Sequence, residues 1–519
     1  MNERRVRALA VVALLTAIHA WSASADASEP PPTKGDSDTD READMFGGTK
    51  DEAAPAQPAP PTAETSRNAA ARKPKTAPGP AAPDGAGGAA EADVQGSATT
   101  PVGKDYGDKR WSDAGVTTAD IDRLKDKLDI GGLLYLRNNA AIAADTLWSR
   151  QTLSSSNLMD VYFDARPNDR LRAFVRGRLL YSPVISSQQS AALTGLTANT
   201  ATYQTQLVEM WIKFDIARWV YLTVGTQQLR WGTTRLWNPV DVINSTRRNP
   251  LTLFDQRTGL PMVKLHFPID SLGWNAYLLA LGERADNLRN WGVAGRLEMV
   301  LSTVEVGLTA MKRMDFDPRV GVDWSAGIWD IDVTGELGVR VDAAGDAHWM
   351  LSAGVSYTLE IGEDDSIIFG AEYFHNPEGF SDGKDAAQVL IDWSVKAQLS
   401  PSTAGPMPLT FFYTGKHYAS LFAVAMGPGS WNDTALTLSA IGNLSDGTGF
   451  VQFLMSTKVL KDLSVEGFVA ANVGGDGEFR FYSGYLNDAI SAQLGGNVPA
   501  ALKIARPLGQ IGLNLRMSF

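Results

Sequence analysis

From residue 129 to the end of the chain, apolar and polar residues alternate in runs of about ten residues, and turn residues separate the runs. Strict alternation places apolar side chains on one face of a β-strand and polar side chains on the other. Many such runs in succession are typical of strands that close into a membrane-spanning barrel. The pattern therefore predicts an all-β chain, a transmembrane antiparallel β-barrel of about 18 strands preceded by a disordered linker.

A hairpin early in this region shows the alternation clearly. Apolar residues alternate with Asp160 and Asp164 on its first strand, and with Arg172 and Arg176 on its second. With a turn centred on Asn168, Asp164 would face Arg172 and Asp160 would face Arg176, which are favourable cross-strand pairs. A soluble β-sandwich alternates as well, but there the charged face lies in external water.

The end of the chain favours a membrane barrel over a soluble β-sandwich. The apolar residues of its last strand alternate strictly and finish on the terminal Phe519. This ending resembles the assembly signal of most bacterial outer-membrane barrels, which implies the barrel-assembly machinery as a partner. The expected location is the outer membrane of a Gram-negative bacterium, among membrane lipid and lipopolysaccharide. A homotrimer remains open as the oligomeric state.

Eighteen strands are predicted between residues 129 and 519, and an even number returns both ends of the barrel to the periplasm. Short connections then fall on the periplasmic side and long ones outside. A further alternating stretch, 389–395, would break this parity, so it is assigned to an outer loop. The long outer loops are 183–204, 229–258, 377–414 and 475–507.

The first 25 residues have the three parts of a secretory signal peptide. Three arginines precede the apolar run 8–20, and Ala23-Ser24-Ala25 is a typical cleavage site. The predicted domains are therefore a signal peptide over 1–25, a linker over 26–116, a short helix over 117–128 and the barrel over 129–519.

The linker is rich in alanine and proline. It has no Leu or Ile from Asp26 to Arg110 and holds 12 of the 26 prolines of the chain. Such a segment buries too little apolar surface to offset its chain entropy, so disorder is predicted. The pair Met45-Phe46 is a candidate docking motif for a periplasmic partner, with a chance apolar pair as the simpler interpretation.

Composition narrows the function classes. The chain has no cysteine, which excludes disulfides and thiolate chemistry. A net charge of −11 and a pI near 5.1 argue against a nucleic-acid partner, because phosphate binding needs a basic face. No metal-ligand spacing is present in the acidic turns, and no cofactor is predicted.

One outer loop, 229–258, interrupts the alternation with Trp and Arg. Exposed outside, its apolar residues would form a patch of the kind that surfaces avoid, so the loop is predicted to fold into the barrel. Its five arginines against two aspartates, Asp241 and Asp255, give a local charge of +3. The residues predicted to line the narrowed lumen are Arg230, Trp231, Arg235, Trp237, Asn238, Asp241, Arg247 and Arg248 in the loop, and Arg172, Arg176, Arg178, Glu209 and Lys213 on the wall.

Two interpretations of these arginines stay open. In the first, they make the constriction attractive to anions, as rings of arginine do in other pores. In the second, Asp160, Asp164 and Glu209 neutralise them, and the arginines only hold the loop and stiffen the wall.

The stretch GTQQLRWGTTRLWNPVDVIN, residues 225–244, resembles the G-x-Q-x-x-x-W-G…W-N-P-x-D pattern of poorly characterised bacterial outer-membrane porin-like barrels, close to the alginate-export-like families. The resemblance extends through 248–268 and more faintly to 415–421. It implies passage of a hydrophilic solute across the outer membrane.

Catalysis is not predicted. A barrel hydrolase would need His and Ser two residues apart on one strand face, and no histidine of the mature chain has Ser at that spacing. The nearest candidate is His375 beside acidic residues of the 377–414 loop, for which a solvated strand end is the simpler explanation.

The sequence thus predicts a passive channel for small hydrophilic or anionic solutes, narrowed by the loop 229–258. The alternative is a structural or secretion-linked barrel with a closed lumen, whose N-terminal arm binds a periplasmic partner.

Overall fold

The computed structural model describes residues 127–144, 147, 151–183, 202–217, 219–252, 255–283, 290–314, 316–361, 365–399, 408–496, 498 and 503–519. The predicted signal peptide, the linker and most of the predicted helix 117–128 lie outside these ranges. The predicted helix is wrong at its end, because Leu128 is already the first residue of a strand.

Nineteen strand segments and three short helices make up the described structure. The strands are β1 (Leu128–Ala143), β2 (Thr152–Ser155), β3 (Asn157–Asn168), β4 (Leu171–Ser182), β5 (Thr202–Ile216), β6 (Val220–Gln227), β7 (Leu260–Ile269), β8 (Trp274–Leu281), β9 (Gly292–Leu301), β10 (Val304–Arg313), β11 (Phe316–Ile328), β12 (Ile331–Val341), β13 (Ala347–Ile361), β14 (Asp365–His375), β15 (His417–Met426), β16 (Thr434–Asn443), β17 (Thr448–Leu460), β18 (Leu463–Val473) and β19 (Pro507–Ser518). The helices are α1 (Gly383–Leu399), a 3₁₀ turn (Glu478–Arg480) and α2 (Ser483–Leu494).

The sheet closes on itself. From β3 onward each strand pairs antiparallel with the next along the chain, β1 pairs with both β2 and β3, and β19 pairs back onto β1. The segments β2 and β3 form one barrel strand, because both pair with β1 in a single register, Asn138 opposite Ser155 and Tyr135 opposite Leu158. The barrel therefore has 18 strands, as the sequence predicts.

The outer face of the barrel is apolar. On β15, Leu421 is 63% exposed whereas its neighbour Ser420 is 3% exposed. On β18, Val469 is 55% exposed whereas its neighbour Ala470 is 5% exposed. Closure satisfies the backbone hydrogen bonds and the apolar belt faces lipid, which are the two requirements for spanning a bilayer with strands. The chain is therefore a membrane-spanning barrel.

Tryptophans lie near the strand ends, where aromatic girdles of such barrels meet the membrane interfaces. Trp219, Trp329 and Trp431 are all exposed there. Among the described helices, none is long and apolar enough to cross a membrane.

The register of the first hairpin differs from the prediction. Asp160 lies opposite Arg178, and Asp164 lies opposite Phe174. The predicted Asp160–Arg176 pair is therefore wrong. The reason is the turn: β3 continues through Asn168, and a bulge after Ala165 shifts the register.

Helices in the outer loops were not predicted. Residues 389–395 belong to α1, and α2 lies in the loop before the last strand. Both helices pack into one apolar cluster that includes Leu390, Leu486 and Ile490. Both helices lie in connections between strands, within the predicted long loops 377–414 and 475–507, and they are packed against one another.

The terminal Phe519 closes the barrel seam. Its backbone exchanges hydrogen bonds with Gly132, at 2.8 and 3.1 Å, and its ring occupies the space that a Cβ at Gly132 would need. We expect deletion of Phe519 to lower the yield of folded barrel in outer-membrane fractions severalfold, since the seam loses both contacts. The heat-dependent mobility of the barrel on gels measures this yield. Phe519→Tyr, which keeps the ring, is the control, and equal yields for the deletion and the control would contradict the expectation.

Candidate functional site

A buried carboxylate on β12 holds the loop 229–258 against the inner wall. Glu336 is fully buried and accepts hydrogen bonds from the Thr234 backbone N–H at 2.7 Å and its hydroxyl at 2.6 Å. It also accepts from the Asn238 amide at 2.9 Å and the Val240 N–H at 3.1 Å. A turn without regular pairing thereby obtains acceptors for its polar groups.

A second carboxylate binds the adjacent part of the same loop. Glu372 on β14 accepts the backbone N–H groups of Arg235, Leu236 and Trp237 at 3.0, 3.0 and 2.9 Å. The Ser352 hydroxyl donates a fourth hydrogen bond at 3.1 Å. Three consecutive N–H groups converge on one carboxylate, which fixes the backbone where the loop approaches the wall.

Apolar packing completes this attachment. Trp237 has no exposed surface, lies parallel to Phe374 with ring centroids 5.4 Å apart, and donates its indole N–H to the Phe412 carbonyl. Gly338 on β12 permits the close approach, since a Cβ there would lie 2.5 Å from the Pro239 carbonyl oxygen. The tryptophan-rich loop therefore lies against the inner face of the wall.

Within the loop, one arginine is neutralised locally. Arg257 pairs with Asp241 at 2.9 Å and with Asp255 at 2.6 Å. Both loop aspartates form their ion pairs with this one arginine, and among the described residues the other four loop arginines form no ion pair with an acid of the loop.

Each of the three wall arginines predicted to line the lumen forms an ion pair with an acid of the wall. Asp160 binds Arg178 at 2.8 Å, Asp164 binds Arg172 at 2.8 Å, and Glu209 binds Arg176 at 2.9 Å, the last pair lying across β4 and β5. The interpretation in which these three acids neutralise the loop arginines is therefore wrong. Lys213 lies over the Tyr221 ring at 4.7 Å.

The remaining loop arginines have neutral partners in the described part of the chain. Arg230 donates to the Asn238 amide oxygen and the Thr234 carbonyl, and Arg248 donates to the Arg235 carbonyl at 3.2 Å. Arg235 lies 4.2 Å from the centre of the Phe422 ring, and Arg247 lies 5.6 Å from that of Tyr413. Burial and the nearby Arg230 lower the pKa of Arg248 to about 10.

One further arginine beside the loop arginines was not predicted from the sequence. Arg319 on β11 is electrostatically coupled to Arg247, and its Nε atom is buried without a partner. Its place on the predicted polar face of a strand was visible in the alternation, but only the fold brings that face beside the loop.

The Trp231 ring lies in a separate apolar cluster with Met262 and Leu279.

Two more segments fold inward, which the sequence analysis also missed. Glu478 is fully buried and accepts from the Tyr418 hydroxyl at 2.6 Å, the Asn443 amide at 2.9 Å and the Phe412 N–H at 2.5 Å. Burial raises its pKa to about 7, against these hydrogen bonds, which lower it. The signal was available: both segments carry aromatic clusters, FFY at 411–413 and FRFY at 479–482, in otherwise polar loops.

The candidate catalytic histidine is not assembled with acids. The His375 ring contacts those of Trp349 and His417, with centroids 4.6 and 4.9 Å apart. Glu378 instead binds Arg340 at 2.7 Å. Across the described ranges, no group of three or more metal-ligating side chains is close enough to hold an ion.

Several solved outer-membrane barrels are similar to this fold. OccAB2 of Acinetobacter baumannii matches with a TM-score of 0.44 and 10% identity, over 76% of this chain and 98% of that one. OccK11 (OpdR) of Pseudomonas aeruginosa matches with 0.43 and 11%, over 75% and 96%. A triple mutant of the Rhodopseudomonas blastica porin matches with 0.37 and 9%, over 76% and 100%.

No family profile and no curated protein matches the barrel. The similarity to solved structures concerns the fold alone at these identities and TM-scores. The resemblance to alginate-export-like families stays a prediction.

Proposed function

We propose that the barrel is a passive channel for small hydrophilic solutes with a preference for anions, and that the loop 229–258 narrows its lumen. The observation that carries the proposal is the set of loop arginines, Arg230, Arg235, Arg247 and Arg248, whose side chains form no ion pair among the described residues and whose described hydrogen bonds and ring contacts are with neutral groups. Arg319 adds a fifth cation from the wall.

The pairing pattern decides the sign of the local field. Paired wall residues such as Arg178 and Asp160 contribute little net charge, because their charges lie 2.8 Å apart and cancel at a distance. These four loop arginines form no close ion pair among the described residues, although the charge of Glu372 acts on Arg235 and that of Asp255 acts on Arg248. A cation cluster at a low-dielectric constriction attracts anions and repels cations, even in a chain of net charge −11.

Reversal potentials across a KCl gradient test the proposal. We expect the refolded protein to conduct with chloride preferred over potassium, and the double variant Arg247→Gln/Arg248→Gln to lose most of this preference. The matched control is Lys458→Gln/Lys461→Gln, which removes two cations near a periplasmic turn, outside the cluster, and should retain it. Potassium preference in the unaltered protein, unchanged in the Arg247 and Arg248 variant, would defeat the anion proposal.

A closed barrel is the second candidate, and one observation favours it. Trp237, Phe412, Phe450 and Phe479 join residues of the wall and of three inward-folded segments into one buried apolar cluster. Such packing narrows the outer half of the lumen. In this alternative the barrel has a structural or secretion-linked role, and its arm, 26–116, binds a periplasmic partner.

Liposome swelling separates the two candidates. A passive channel admits small sugars and organic anions whether or not residues 26–116 are present. Absence of permeability in both forms, with folded barrel confirmed, supports the closed alternative and contradicts the channel.

A further inference from the structure

Six aromatic rings line the inner wall on six consecutive barrel strands, β3 to β8. Two stacked triplets form this row. In the first, ring centroids lie 5.8 and 5.4 Å apart, and in the second 5.6 and 4.6 Å apart. The aromatic band, as we call it, consists of Tyr162, Phe174 and Trp211 in the first triplet and Tyr221, His266 and Tyr277 in the second.

The sheet register builds the band. Phe174 lies directly opposite Trp211, and His266 lies directly between Tyr221 and Tyr277 on neighbouring strands. Lys213, two residues after Trp211 on the same face of β5, lies over the Tyr221 ring and joins the two triplets. Inward positions of adjacent strands thus form two aromatic triplets with the Lys213 ammonium between them.

The band differs from the aromatic residues of the inward-folded segments in exposure. Those rings, including Trp237, Phe412 and Phe479, are fully buried. All six rings of the band are only half-buried. The band also lies in the periplasmic half of the barrel: Phe174 and Trp211 each stand a few residues from a periplasmic turn. Its rings therefore keep surface accessible to the lumen.

Half-exposed rings on an inner wall need a reason, because the interior of an aqueous barrel is ordinarily polar. Leaving apolar surface in water costs about 25 cal/mol per Å². A contiguous apolar surface edged by polar groups is typical of a ligand site.

We propose that the aromatic band is a binding track for the sugar rings of a neutral carbohydrate, a hexose oligosaccharide. This inference goes beyond the proposed function, in which the loop arginines concern anions, and it relies on that function only for the route of the solute. A pyranose ring has an apolar C–H face and a rim of hydroxyls. The aromatic surface receives the face, and polar groups at its edge receive the hydroxyls.

Polar groups at the edges of the band can receive the hydroxyls of a neutral ligand. Arg172 lies 5.3 Å from the centre of the Trp211 ring but is paired with Asp164 at 2.8 Å. The amide of Asn275 meets the His266 Nε2 atom at 2.9 Å and brings a neutral hydrogen-bonding group to the other end. The band thus has polar edges, its arginine is paired, and the Lys213 ammonium lies between the two triplets on the Tyr221 ring.

Several weak stacking positions in a row also suit transport. Each ring contact is modest, so a sugar chain gains affinity from many contacts and can still move from one position to the next.

Calorimetric titration of the refolded full-length protein in detergent with maltohexaose and cellohexaose tests the track. We expect saturable binding of at least one of them, weakened about tenfold in Trp211→Ala and in Tyr221→Ala, a loss of about 1.4 kcal/mol for each. Phe214→Ala removes a ring from the lipid-facing side of β5, where Phe214 is 38% exposed, and should bind as the unaltered protein does. Heat-dependent gel mobility establishes that each variant is folded.

The outcomes are distinct. Lack of binding by the folded, unaltered protein, or binding equal in all three variants, overturns the track and leaves only a wall-stiffening stack. Binding that depends on Trp211 and Tyr221 supports it. The KCl conductance of the same preparations reports the channel separately, so that binding without conductance would count against the proposed function alone.

Discussion

Replacing Glu372 with alanine is expected to release the loop 229–258 from the inner wall. Its carboxylate accepts three consecutive backbone N–H groups and the Ser352 hydroxyl, and the side chain is only 4% exposed. Each buried donor left without an acceptor costs about 1–3 kcal/mol, so the attachment should weaken by several kcal/mol. Trypsin should then cleave at Arg235, and the single-channel conductance should rise with frequent fluctuations.

Two control variants distinguish the loss of the loop attachment from the loss of one negative charge. Glu360→Ala removes the same charge from an exposed position on the neighbouring strand and should leave both measurements unchanged. Glu372→Gln keeps one acceptor oxygen and should give an intermediate result. A loop that stays protected from trypsin in Glu372→Ala would show that Glu336 and the apolar contacts suffice.

The second large effect is a pH dependence of the outer inward-folded segments. Burial raises the pKa of Glu478 to about 7 from its ordinary value of 4.5. An acid with a raised pKa in the folded state stabilises that state below the ordinary pKa, and this contribution is lost as the pH rises through the folded value. The segments around Phe412 and Glu478 should therefore be more stable at pH 5 than at pH 8, by as much as about 3 kcal/mol.

Hydrogen exchange measures the pH dependence of this stability, after correction for the intrinsic effect of pH on exchange rates. Protection of the amides of 478–482 should fall between pH 5 and pH 8, and Glu478→Gln should remove most of the fall. Burial also raises the pKa of Asp446, which accepts the Glu478 backbone N–H, so a smaller dependence should remain. Glu378→Gln, at an exposed rim pair, is the control. Protection that rises with pH would contradict the assignment.

The strands were predictable because their signal is local. Alternation identifies each strand and its two faces, and the count of turns gives parity, so the 18 strands and their closure followed from residues near one another in sequence. The inward preference of the Trp-rich loop had the same basis, since apolar residues in a polar loop indicate burial somewhere.

The contact partners of the charged side chains were not predictable in the same way. A bulge after Ala165 moved Arg178, rather than Arg176, opposite Asp160, and alternation carries no information about such a shift by two residues. The acids that hold the loop, Glu336 and Glu372, lie 102 residues from Thr234 and 135 residues from Trp237 in sequence. They resemble any other inward polar residue until the barrel is closed.

The sequence by itself determined that this chain crosses a membrane as a closed barrel and that its arginine-rich loop avoids the outside, because period-two alternation and the cost of exposed apolar surface act over short stretches. Only the tertiary structure decided which arginines are paired, which glutamates anchor the loop and which rings meet in the aromatic band. Those contacts join strands through register and closure, and both depend on the whole sheet.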